Sequence, residues 1–257
     1  MRQQGGPYRL WILAFLLALV LAEVAWSWKN DKKVYEVKET FSNLSVFAGF
    51  QLSKILFTGY QLFILGFFTR IAPFSLPRNA WVFLLTFITA DFLYYWFHRI
   101  SHFWKPLWAF HQVHHSAMHM NLTSAYRLNW LSAIISPLFF IPAALSGMPA
   151  DFIVISYVLN LTYQFFLHTE VVGKMGIMEK IIDTPSSHRV HHGSNPIYID
   201  KNFGGVFIIW DRLFKTYQPE TEKASYGLTT GFMSYNPFVL VFKGFVDLFS
   251  GKMKLKS

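Results

Sequence analysis

The chain has 257 residues, of which 53% are hydrophobic and 14% charged, far below the roughly 25% charge of ordinary soluble domains. That much apolar surface does not fit inside a soluble fold of this length, which favours a bundle of membrane helices carrying polar segments. The net charge of +9 is scattered among acids and apolar runs, so no basic helix is left to line a nucleic-acid groove, and the excess reads as membrane topology and contact with anionic lipid. Cysteine is absent, which removes disulfides and thiolate ligands and leaves histidine as the strong soft ligand.

In chain order, five apolar segments near 8–28, 46–69, 79–97, 131–147 and 152–168 approach the roughly 20 residues that cross a bilayer as helix. The first resembles a secretory signal with Val20-Leu21-Ala22 as a cleavage site, but charge counting makes it a span. With all five crossing, 29–45, 98–130 and 169–257 share one face and carry 4, 3 and 11 Lys and Arg, against Arg2, Arg9, Arg70 and Arg78 on the other. The positive-inside rule puts the richer face in the cytoplasm, of a bacterial inner membrane or the endoplasmic reticulum. Pro137, Pro142 and Asn160 interrupt the last two segments, so these form spans or a tilted, re-entrant hairpin. The expected architecture is an all-α integral membrane protein, one domain over 1–257, with four to five transmembrane helices and a cytoplasmic histidine-rich cap over 169–257.

All ten histidines fall between His98 and His192. HRISH carries His98 and His102 at i, i+4 on the helix leaving the third span, stacking two imidazoles on one side. HQVHH carries His111, His114 and His115, and HRVHH repeats the pattern in His188, His191 and His192. Each triplet sits on a short helix, the first with Pro106 in its first turn, the second capped by Asp183 or Thr184 and stopped at Gly193. His168 ends the fifth segment; His119 stands outside the clusters and reads as an ordinary surface or hydrogen-bonded histidine. Nine imidazoles exceed what one four- to six-coordinate ion uses, so two metals follow. A closed zinc site leaves half of the set unexplained, and no H-E-x-x-H motif marks a zinc protease; a pair of irons with open positions for oxygen uses the count better.

The strings DFLYYWFHRISH, FHQVHHSAMHMNLTSAYR, LNLTYQFFLHTE and DTPSSHRVHHGSNPIYIDKNFGGVFIIWDRLFKTYQPE resemble the fatty acid hydroxylase and sterol desaturase superfamily of membrane di-iron oxygenases, most closely the alkylglycerol monooxygenases and their bacterial relatives. The similarity covers most of 80–235. It implies two iron ions held by His98, His102, His111, His114, His115, His188, His191 and His192, with His168 as a further ligand, and insertion of oxygen from O2 into a membrane-lipid C–H bond at the expense of an electron donor, tetrahydrobiopterin or another. One position departs: Phe103 follows His102 where the alkylglycerol monooxygenases carry a glutamate, which counts against ether cleavage and a pterin donor.

Around the ligands, Asp91, two helical turns before His98 inside an apolar span, is expected to orient a ligand histidine or Arg99, since an unpartnered carboxylate there is costly. Glu170 is the candidate to replace the missing glutamate. Asn121, Tyr126, Arg127, Asp200, Lys201 and Asn202 are candidates to fix imidazole tautomers, and 203–217 reads as an interfacial helix sealing the site. The competing functions are a lipid or sterol desaturase on the same scaffold, a histidine-rich metal transporter or sensor, and a structural zinc protein. Transport is disfavoured because its ligands belong along a path inside the spans.

Overall fold

The computed structural model describes the backbone of residues 6–255; side chains of 6–10, 12 and 13, together with Arg2, lie outside the described residues. Among the described residues the regular secondary structure is all helical, apart from a single antiparallel bridge between Ile182 and Phe207. Helix α1 runs Gly6–Lys29, α2 Val37–Arg70 and α3 Ala80–Phe103. By length and apolarity α2 and α3 qualify as membrane spans. At 34 residues, α2 is about 50 Å long, longer than the hydrocarbon needs. Leu52, Ile55, Leu56 and Phe63 on its outer part are exposed, while Glu39, Ser42, Asn43 and Val46 in its first turns are buried against the polar cap. The segment expected at 46–69 therefore starts earlier, and its added turns belong to the cap. Likewise α3 continues unbroken from its apolar part through His98 and His102.

The fourth and fifth expected spans are shorter than predicted. The segment 131–147 divides into α5, Ser132–Phe139, and α6, Ile141–Leu145. Pro137 lies inside α5, Pro142 opens α6, and the chain bends between them at Phe140. Helix α7, Ala150–Phe165, has 16 residues, about 24 Å, and stops before His168, which sits in the turn beyond it. The hairpin packs between α2 and α3 around Leu65, Ala90, Tyr94, Phe140, Ala143, Ala144, Met148 and Ile153. At its tip, Gly147 has φ +74°, and a Cβ there would lie 2.5 Å from the Phe74 carbonyl oxygen, so the close approach of the 71–79 loop requires glycine.

The cap contains α4, Lys105–His115, α8, Pro185–His192, the single-turn α9, Ile209–Leu213, and α10, Pro237–Phe249. Buried polar side chains tie it to the long helices. From α1, Glu23 accepts from Tyr35 Oη at 2.6 Å, Leu122 N at 2.8 Å and Thr169 Oγ1. Buried Arg127 donates to Asn43 at 2.5 Å, Ser116 at 2.8 Å and Glu39 at 3.1 Å. The run 203–217, expected as an interfacial helix, is mostly loop. Its rings pack onto α3 instead, Phe207 on Phe87, Trp210 on Phe92 and Phe214 on Tyr95 and Trp96. The apolar helical face of the cap belongs to α10, which leaves Phe238, Val246 and Phe249 exposed and packs Leu240 and Val241 against Val46 and Val113.

Candidate metal centre

Three helices and one turn bring the histidines together. α3 supplies His98 and His102, one turn apart on one face. α4 begins with Pro at its first positions, where the missing N–H costs nothing. α8 begins at Thr184, whose side chain and that of Ser187 form a reciprocal capping box. Gly193 ends α8 with φ −59°; glycine is needed there because a Cβ would stand 2.7 Å from the Tyr198 ring.

Nine imidazoles fall into two groups, His98, His102, His111, His115 and His191 in one and His114, His168, His188 and His192 in the other, the candidate ligand atoms of each lying within 4.8 Å of one another. Each triplet is divided in the same manner. α4 gives its i, i+4 pair to the first group and His114 to the second; α8 gives its i, i+4 pair to the second group and His191 to the first. The groups adjoin, with the rings of His115 and His192 stacked 4.5 Å apart.

Within the groups, Nε2 atoms face one another: His98 and His111 at 3.0 Å, His111 and His115 at 3.1 Å, His168 and His188 at 3.2 Å, and His114 and His168 at 3.3 Å. Metal–nitrogen bonds of about 2.1 Å separate adjacent ligand nitrogens by roughly 3.0–3.4 Å in octahedral or tetrahedral geometry, and the separations here match such edges. The outer nitrogens are held by the protein. His98 Nδ1 donates to the Phe203 carbonyl at 2.9 Å, His191 Nδ1 to that of Lys201 at 3.0 Å and His168 Nδ1 to that of Gln164 at 2.7 Å. A carbonyl only accepts, so each of these Nδ1 atoms carries the proton, and a neutral ring held this way turns its Nε2 lone pair inward. Each group also has one carboxylate-backed ring, His102 Nδ1 on Asp200 at 3.2 Å and His188 Nδ1 on Asp183 at 3.3 Å. Buried His192 Nε2 makes no hydrogen bond. Burial pushes the His188 imidazole down to about 3 and lowers His114 and His192 well below the usual range, neighbouring imidazoles adding to the last two. The rings stay neutral, which is the form that binds metal. Burial likewise raises Asp183, and a cation on His188 Nε2 would draw it back to carboxylate. Neutral imidazoles facing inward, with an orphaned nitrogen among them, fit a pair of metal ions.

Other expected residues lie elsewhere. Asp91 touches neither a histidine nor Arg99. It accepts from Asn160 at 2.5 Å, Val206 N at 2.7 Å, Phe207 N at 3.2 Å and Trp210 Nε1 at 2.8 Å, pinning the loop whose Phe203 carbonyl holds His98. Arg99 donates to Tyr95. Glu170 stands outside both groups, beside Tyr226 in a separate cavity. His119 is also apart, bonded to Glu39, which raises its pKa. Phe103, 53% exposed, ends α3 against Phe203. Among the tautomer-fixing candidates, Asp200 and the Lys201 main chain reach imidazoles and the Arg127 main chain faces His114, whereas Asn202 bonds to Ser187 and Gln218 carbonyls, Asn121 to Val34, and the Arg127 guanidinium to Asn43, Ser116 and Glu39. Glu23 and Glu39 were missed, although an acid within an apolar run, as in LVLAEVAW, carries the same signal as Asp91.

The fatty acid hydroxylase family model matches residues 83–216, which contain every histidine of both groups. The chain belongs to the fatty acid hydroxylase family. It is 38% identical over 226 residues to alkylglycerol monooxygenase of Xenopus tropicalis, covering 87% of this chain and 50% of that protein. Over 218 residues it is 40% identical to alkylglycerol monooxygenase of Danio rerio, covering 84% and 49%. Ornithine lipid hydroxylase of Rhizobium tropici is 24% identical over 228 residues, covering 85% of this chain and 68% of that protein. The chain thus spans about half the length of the alkylglycerol monooxygenases it matches. No solved structure matches it. As a member of this family the chain carries membrane helices and buried histidine clusters of metal-binding type.

Proposed function

We propose that the protein is an integral-membrane di-iron oxygenase that hydroxylates a membrane lipid at a C–H bond with O2. The observation that carries the reading is the partition of nine imidazoles, eight of them buried, into two adjacent groups with nitrogens at metal-ligand separations. Two irons, held by His98, His102, His111, His115 and His191 and by His114, His168, His188 and His192, would supply the O2 activation that no side chain provides. The rest is the protein's contribution. The Phe203, Lys201 and Gln164 carbonyls and the Asp200 and Asp183 carboxylates hold protons on the outer ring nitrogens and fix each ring. Phe203, Trp108 and Tyr94, all buried against the histidines, exclude water. A lipid chain enters from the bilayer side, along the aromatic packing of Tyr94, Phe97 and Phe139.

In this reading α1, α2, α3 and the α5–α7 hairpin sit in the membrane as one domain, the histidines face the cytoplasm, and α10 lies in the interface with its exposed phenylalanines in lipid. The alkylglycerol monooxygenases and the ornithine lipid hydroxylase make a lipid the natural substrate class. Phe103 in the glutamate position favours a substrate other than an alkylglycerol ether and a donor other than tetrahydrobiopterin. The deciding experiment is turnover of iron-loaded protein in lipid under oxygen-18 gas. Lipid product carrying one labelled atom supports hydroxylation. An unlabelled, dehydrogenated product makes the protein a desaturase, and oxygen drawn only from water, or turnover without O2, refutes the oxygenase reading. A cysteine at Ser194, labelled from outside intact cells, would overturn the topology.

A further inference from the structure

Hydroxylation places one atom of O2 in the lipid C–H bond and releases the other as water, so each turnover consumes two electrons and two protons. The chain contains no cysteine, so it has no dithiol to supply them, and the electrons come from outside. A cavity of about 290 Å³ lies between α4, α10 and the C-terminal segment. Trp108 and Gln112 form its inner wall, and Lys243, Asp247, Lys252 and Lys254 its rim. Trp108 is 2% exposed, and its ring lies 5.2 Å from that of His102, 5.6 Å from His115 and 6.1 Å from His111. One indole therefore separates the cavity from the five-histidine group. Gln112 is 5% exposed, and its buried Nε2 makes no hydrogen bond, a cost the fold bears without a partner of its own. On the rim, Lys243 is paired with Asp247, while Lys252 and Lys254 are exposed. Three ammonium groups against one carboxylate, one amide donor without a partner and an aromatic wall suit a small, flat, acceptor-rich or anionic molecule, and Leu228, Phe232 and Leu255 offer its ring apolar contact.

We propose that this cavity is the docking site of a water-soluble two-electron reductant of one or two rings, whose electrons would pass across Trp108 to an iron held by the five-histidine group. The inference rests on the oxygenase reading for its role, and its binding test stands apart from that reading. The full chain in nanodiscs is titrated anaerobically with a two-ring reduced pterin and with one-ring ascorbate, and reduction of the iron-loaded protein is followed by stopped flow. At least one probe should bind. Reversing two charges in Lys252→Glu/Lys254→Glu should weaken it at least about tenfold, and Gln112→Leu about fivefold, as expected for loss of charge-assisted and neutral hydrogen bonds. Lys32→Glu/Lys33→Glu, in the other cavity, should leave affinity unchanged. Trp108→Phe should slow reduction by the bound donor but not by dithionite. Unchanged affinity in the lysine variant overturns the proposal. So does displacement of the probe by phosphatidylglycerol, which would make the cavity a lipid-headgroup site, or reduction by a ferredoxin alone at a rate the lysine variant does not change. Donor binding that obeys these variants without oxygen reaching a lipid leaves the cavity standing and refutes the oxygenase reading instead.

Discussion

His191 and His192 are neighbours in sequence, yet their ring nitrogens belong to different groups, so their replacement should remove different ions. His192→Ala leaves three of the nitrogens of His114, His168, His188 and His192, and His191→Ala leaves four of the five in the other group. A divalent ion held by about 10–16 kcal/mol through four ligands owes roughly 3 kcal/mol, about two orders of magnitude in Kd, to each. In equilibrium dialysis against ferrous iron without oxygen, followed by elemental analysis, His188→Ala/His192→Ala should lose one ion and retain the other at wild-type affinity. His102→Ala/His191→Ala should do the same with the complementary ion, and His191→Ala/His192→Ala should weaken both. The paired variants separate this arrangement from one in which each H-x2-H-H triplet serves its own metal. If His188→Ala/His192→Ala released both ions with a single reduced affinity, or if His191→Ala and His192→Ala stripped the same ion, the division would be wrong.

Removing the Asp91 carboxylate in Asp91→Ala strands two buried donors, on Asn160 and Val206, and two half-buried ones, on Phe207 and Trp210; at about 1–3 kcal/mol each, denaturant unfolding in detergent should show a loss of about 4 kcal/mol or more, while Asp91→Asn, which keeps one acceptor oxygen, should lose less. His119→Ala should retain both metals in elemental analysis, because His119 bonds to Glu39 outside both groups. For the metal-free protein, folded His188 stays neutral down to about 3 whereas the unfolded ring gains a proton below about 6.5. Its folded pKa is depressed, so unfolding binds a proton and wild type should lose stability relative to His188→Gln as pH falls below 6.5, by up to about 1.4 kcal/mol per pH unit; a pH-independent difference would contradict the burial of that ring.

The local spacing of the histidines was enough to place His98 with His102, His111 with His115, and His188 with His192, because an α-helix puts i and i+4 on one face whatever surrounds it. Apolar run length likewise marked α2 and α3 as candidate spans. The crossing of the helices decided the rest. Which group receives His114 or His191 depends on how α4 and α8 meet, and no period within either helix encodes that. Partners such as the Phe203 carbonyl for His98, 105 residues away, or Asp91 for the 206–210 loop, are equally non-local, which is why Asp91 was expected on a histidine and is found holding a loop. The broken α5–α6 segment shows the same division between levels. Pro137 and Pro142 locate the break from sequence alone; that both pieces pack between α2 and α3 as a short hairpin follows from the fit of Ala143, Ala144 and Phe140 against Leu65 and Tyr94, a fit that exists only once the helices are assembled.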